Sequence, residues 1–300
     1  MAQFDIITPL APTETLPTVR RIGFSDLKGV LAAGIEDFRA MPTHYGFLCL
    51  FYPVAGLVLL RATFGYDLIP LLYPLAAGFA LLGPFAAIGL YELSRRRELG
   101  RDTSLAHVFD VLRSPSLPSI LALGALLLAL FVIWIAIAHT IYVAYFGWAE
   151  PESILGFARR ILTTDAGLGM MLTGNAVGLA FAVVAFMLSV ISFPLLLDRN
   201  VGMAAAIVTS VRVVLVNPLV MAAWALVVAA GLVAGFALFF FGLAVTVPIL
   251  GHATWHLYRR VVEPDDSARP EYRPRPHRQR YGAEFPASLF FPSSHDQRDK

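Results

Sequence analysis

Six ionisable residues stand in or beside long apolar runs of this 300-residue chain: His44, Glu92, His139, Asp198, His252 and His256. Ionisable groups at membrane depth are costly and mark functional sites by default. His252 and His256 are four apart, so they share one face of a helix. Three prolines bring the rest into register. Asp198 lies four residues after Pro194 and His252 four after Pro248, while Glu92 lies eight after Pro84 and His256 eight after Pro248. If the three proline-led segments pack together, Glu92, Asp198, His252 and His256 converge. Two imidazoles and two carboxylates suit a divalent transition metal, so these four form the candidate metal site. Arginines compete for the same carboxylates: Arg95 and Arg96 follow Glu92, and Arg199 follows Asp198. In that alternative the acids are simply paired, and the histidines sit at headgroup depth beside Trp255 and Tyr258.

Other chemistry is sparse. A haem between spans needs facing histidines at mid-depth, and the nearest candidate, His139, lies close to the end of its span among Thr140, Tyr142 and Tyr145. Cys49 is the only cysteine, which excludes an intrachain disulfide and reads as a small buried hydrophobe. Asn175 is expected to hydrogen-bond a neighbouring helix. No HExxH, P-loop, GxSxG or CxxC pattern occurs, so no catalytic residue and no cofactor is assigned.

The elements that must carry these groups are membrane helices. The chain is 57% hydrophobic and 15% charged, whereas soluble domains carry about 25% charged residues. Residues 1–24, with Pro9, Pro12 and Pro17, read as an irregular leader. From Ser25 to Met41 the apolar residues Leu27, Val30, Leu31, Ile35, Phe38 and Met41 recur at helical spacing, which predicts an amphipathic helix lying along the interface. The first span is expected at about Tyr45 to Leu60 and the second at about Leu68 to Leu93. A second amphipathic segment, Thr103 to Arg113, precedes a third span at about Ser119 to Phe146. A short amphipathic stretch with Arg159 and Arg160 then leads to a fourth span, about Gly167 to Leu197. A third interfacial helix, Val201 to Val216, precedes the run from Pro218 to about Tyr258. As one helix that run would be roughly 60 Å long at ~1.5 Å per residue, twice the ~30 Å hydrocarbon core. It must fold back, near Gly231–Phe239, into spans five and six.

The expected fold is therefore all-α: a polytopic bundle of about six spans at residues 25–262, arranged as three helical hairpins, each preceded by an amphipathic interfacial helix. Its arginines are unevenly placed. Arg95–Arg97, Arg101, Arg113, Arg199, Arg212, Arg259 and Arg260 fall on one side of such a bundle, against Arg61, Arg159 and Arg160 on the other. Arginine excess marks the cytoplasmic side, which puts both termini there and the interfacial helices against an anionic inner leaflet. Residues 263–300, rich in proline and arginine, read as a disordered cytoplasmic tail with one apolar island, Leu289-Phe290-Phe291, that could dock a partner in a membrane complex. The basic run is short and flanked by acids, so nucleic acid is not an expected partner.

Gly34-Ile35-Glu36-Asp37-Phe38, Leu82-Gly83-Pro84 with Leu90-Tyr91-Glu92-Leu93-Ser94-Arg95-Arg96, Ser192-Phe193-Pro194 to Asp198-Arg199, Asn217-Pro218 and Pro248 to His256 together resemble a bacterial family of integral membrane proteins, domain of unknown function 2189. The resemblance runs over about residues 25–262 and implies an inner-membrane protein with about six spans. Members are sometimes labelled as related to cytochrome c oxidase subunit I, but this chain is too short for twelve spans and lacks the histidines for two haems and copper. The resemblance supplies no mechanism. The expected role is a non-catalytic accessory subunit or assembly factor of a larger, conceivably respiratory, membrane complex. The alternatives are a small-solute transporter and a metal- or haem-binding membrane protein.

Overall fold

A computed structural model of the protein describes residues 16–41, 70–79, 83–148, 151, 153–238, 242–264 and 272. The expected first span and the apolar island of the tail lie outside the described residues. Phe24–Ala40 forms α1. Leu72–Phe79 (α2), Gly83–Ala86 (α3) and Ile88–Glu98 (α4) follow, and then a 3-10 helix, Leu105–Arg113. Leu117–Phe146 is α5, Ile154–Thr163 α6, Asp165–Ser189 α7, Ser192–Asp198 α8, Gly202–Val216 α9, Pro218–Ala237 α10 and Leu243–Val261 α11. Among the described residues, three stretches are long and apolar enough to cross a membrane: α5, the α7–α8 rod and α10. They correspond to the third, fourth and fifth spans expected from the sequence. The second is described only in pieces, and the sixth corresponds to α11, whose C-terminal half is polar.

The chain folds back on itself through close glycine contacts. Gly178 on α7 packs on Trp134 of α5, and Gly169 on Tyr145, which makes α5 and α7 antiparallel. Gly231 on α10 faces Leu250 of α11, while Gly235 faces Gly242. These are places where a side chain would hold the backbones apart. The chain therefore reverses between the end of α10 at Ala237 and the start of α11 at Leu243, where the sequence expected a fold-back near Gly231–Phe239.

Prolines break the helices where their chemistry requires. Pro194 cannot donate to the carbonyl of Val190, and its ring crowds that carbonyl, so α7 stops at Ser189 and α8 restarts at Ser192. The break is satisfied from a neighbour: Ser210 Oγ on α9 accepts the Ile191 N–H at 3.2 Å. Pro248 lies inside α11 without ending it.

Two of the expected interfacial helices are covered by protein. α1 packs along α11 and buries Leu27, Val30, Gly34 and Asp37. A Cβ on Gly34 would lie 2.6 Å from Ala253 Cβ, so the two helices cross almost backbone to backbone. α9 buries Ala205, Ala206, Thr209, Ser210 and Val213 against α7 and α8. Just outside α1 and α11, Val19 and Val262 form an antiparallel bridge, with Arg20 N–H donating to Val261 O at 2.8 Å. The described ends of the chain thus meet at the same end of the bundle.

Candidate functional site

The three proline-led exits do pack together: α4 touches α8 and α11, and α8 touches α11. Each has arginines at or just after its C-terminal end: Arg95–Arg97 on α4, Arg199 after α8, and Arg259 and Arg260 on α11. Leu90 to Arg95 on α4, all of α8, and most of α11 after Pro248 are buried at this junction. Close approach is set by Gly251 of α11, where a Cβ would come within 2.4 Å of Leu90 Cδ1.

The candidate residues fall into three adjoining ion-pair groups rather than one ligand set. Glu92, fully buried, is gripped by Arg95, whose Nε donates at 2.8 Å and Nη2 at 3.2 Å. Tyr272 of the tail adds a third donor to Glu92 at 2.6 Å, and its ring lies 4.7 Å from the Arg95 guanidinium. Asp198 accepts from Tyr258 at 2.6 Å and faces Arg259 at 3.5 Å. Arg259 also pairs with Glu98 at 2.7 Å, which in turn accepts from Trp255 at 3.0 Å. The histidines belong to a third group, built around a residue outside the apolar stripe expected for α1.

That residue is Asp37, 2% exposed. It accepts from Ser94 at 2.5 Å, from Arg97, and from His256 Nε2 at 2.9 Å. A carboxylate only accepts, so His256 presents Nε2–H. His252 Nδ1 lies 2.8 Å from Ser94 Oγ. Ser94 has one proton and gives it to Asp37, so its oxygen accepts from Nδ1–H of His252. Ser94 thus links to Asp37 a wholly buried imidazole that also bonds the backbone of Leu90. Burial pushes the Asp37 carboxyl up, and the bonds from His256, Ser94 and Arg97 outweigh it, leaving it at about 2.

His256 therefore bonds Asp37 directly and His252 reaches it through Ser94, whereas Glu92 and Asp198 are held by Arg95 and by Tyr258 and Arg259. Among the described residues, no three His, Cys, Asp or Glu side chains stand together in a way that could hold a metal ion. His139, the haem candidate, packs edge-on against Trp148 at the opposite end of the bundle. Asn175 accepts from Tyr73 at 2.8 Å, a bond between helices as expected. An open cleft of about 410 Å³ adjoins the junction, lined by Glu36, Asp37, Arg97, Glu98, His256 and Arg259 among others.

Comparison with known proteins supports the membrane reading over part of the chain. Residues 72–198, from α2 to the end of α8, match the model of a family described as predicted integral membrane protein, DUF2189. The family resemblance read in the sequence is thus shown for that stretch. No curated protein and no solved structure matches the chain.

Proposed function

We propose that this integral membrane protein is a non-catalytic accessory subunit or assembly factor of a larger inner-membrane complex. The observation that carries the reading is the mutual engagement of the junction's charges. Asp37, Glu92, Asp198 and His256 each meet a partner from another helix or from the tail. Such groups act as fasteners: removing one leaves its partner buried and unpaired, at a cost of roughly 3–5 kcal/mol. An arrangement of this kind rigidifies a scaffold. The arginine excess at this end, beside the described ends of the chain, supports a cytoplasmic placement for both termini. The tail beyond Tyr272 is the partner-docking element of this account. Mild detergent extraction followed by native mass measurement tests it: a stable co-purifying membrane partner is expected, and a lone monomer overturns the proposal.

The open cleft supports a second reading, a small-solute transporter, because Glu36, Arg97 and His256 line a space large enough for a small polar molecule. Uptake into proteoliposomes that is abolished by His256→Ala would favour it over the first.

A further inference from the structure

All three interfacial helices expected on the arginine-marked side rest one face on protein, and each also leaves large apolar side chains exposed: Phe24 on α1, Leu215 on α9, and Phe109 and Leu112 on the 3-10 helix. α1 lies on α11 and α9 lies on α7 and α8. On the 3-10 helix, Phe109 and Leu112 are 70% and 62% exposed, although the same helix buries Asp110 and Val111. This outward direction is fixed from the buried side. A Cβ on Gly89 of α4 would lie 2.3 Å from Val108 Cγ1, so the 3-10 helix is pressed against α4. Asp110 faces Arg96 at 3.3 Å and Arg113 at 2.5 Å. His107 bridges Asp110 at 2.6 Å and Asp102 at 2.9 Å. Phe109 and Leu112 cannot turn inward without undoing that clamp. Four residues after Arg113 the chain enters α5, a candidate span whose Leu121 and Leu128 are likewise exposed.

We propose that the occupant of this surface is the bilayer itself: Phe109 and Leu112 form a wedge at the headgroup–acyl boundary, continuous with the lipid-facing flank of α5. Amphipathic segments seat their apolar face ~5–10 Å into that boundary. The wedge fixes the depth of the whole protein. α4 rests on it through Gly89 and runs from there towards its arginines. Glu92 to Glu98 therefore lie roughly 5–14 Å further along the axis, at ~1.5 Å per residue. The ion-pair junction is placed at headgroup depth, where water and phosphates temper the cost of buried charge. The inference rests on the chain being membrane-embedded, and its test separates the two.

The full chain, with Cys49→Ser, carries a nitroxide at Phe109→Cys or Leu112→Cys and is reconstituted in phosphatidylethanolamine–phosphatidylglycerol vesicles. Leu128→Cys reports mid-span lipid and Arg101→Cys reports water. Collision with oxygen and with a water-soluble nickel chelate is measured at each. The wedge predicts an oxygen-to-nickel ratio at 109 and 112 several-fold above that at 101 and below that at 128. Values at 109 and 112 equal to 101, with 128 in lipid, overturn the wedge and leave the membrane reading intact. Exclusion of both reagents from 109 and 112 with an immobilised spectrum means that protein covers the face, and also overturns it. A water-like value at 128 removes the membrane reading, and the wedge with it.

Discussion

Asp37→Asn keeps the shape of the junction's central acid and removes its charge. The structure sets the size of the effect. Asp37 is held at about 2 against an ordinary value of 3.8. That difference corresponds to roughly 2–3 kcal/mol of preference for the charged form in the folded protein. His256 and Arg97 reach solvent on one side, so screening reduces this to on the order of 2 kcal/mol. For a chain of 300 residues, at ~2.1 cal/mol/K of unfolding entropy per residue, that is a fall of roughly 3 °C in melting temperature. Thermal unfolding of the detergent-solubilised protein, followed by tryptophan fluorescence, reads it. The sign with pH is also fixed. A depressed carboxylate contributes fully above about pH 4, and the contribution is lost as pH falls through about 2. The wild-type and Asp37→Asn melting curves should therefore differ at neutral pH and draw together in acid. The exposed neighbour Glu36→Gln should stay within about 0.5 kcal/mol of wild type. Equal stabilities of wild type and Asp37→Asn at neutral pH, or a difference that persists undiminished at pH 2, would refute the reasoning.

Other substitutions probe separate contacts. Gly34→Ala places a methyl 2.6 Å from Ala253 Cβ and should destabilise by roughly 1–3 kcal/mol, despite alanine's better helix propensity; an unchanged melt would show that α1 and α11 can part freely. Glu92→Ala strands the buried Arg95 and should cost roughly 3–5 kcal/mol, with Glu92→Gln costing less; chemical denaturation in mixed micelles orders the two. Tyr272→Phe removes the hydroxyl bond to Glu92, worth roughly 1.5–3 kcal/mol to a charged acceptor, and limited proteolysis should then cut more quickly between Glu263 and Tyr272. Ser210→Ala leaves the buried Ile191 N–H without its acceptor, at roughly 1–3 kcal/mol in the same denaturation assay.

The exits were legible because their signals are local: a proline inside an apolar run, then arginines. That the exits pack together was a condition of the candidate site, which the matched spacing of Glu92, Asp198, His252 and His256 suggested without requiring. What each of these touches was not legible, because their partners come from distant segments. Asp37 falls outside the expected stripe of Leu27, Val30, Leu31, Ile35, Phe38 and Met41, because a stripe counted on large apolar residues gives Gly34 no weight. The buried stripe is Leu27, Val30, Gly34 and Asp37, rotated from that expectation by the close approach that Gly34 allows. One clue was present: an acid in the last turn of a helix opposes the macrodipole and needs a cation nearby. Likewise the covered face of α9 could not be told from a lipid-facing one, because small apolar residues suit both neighbours. Tyr272 sits in a polar tail, and nothing local marks it as a core residue.

The account stands on the exits of α4, α8 and α11 sharing one membrane face. Single cysteines at the exposed positions Glu98, Asn200 and Arg260, and at the exposed Arg159 beyond α5, can be labelled with an impermeant maleimide in sealed vesicles of each orientation. The account predicts that 98, 200 and 260 react from the same side and 159 from the other. Labelling of 98 and 260 from opposite sides would contradict it.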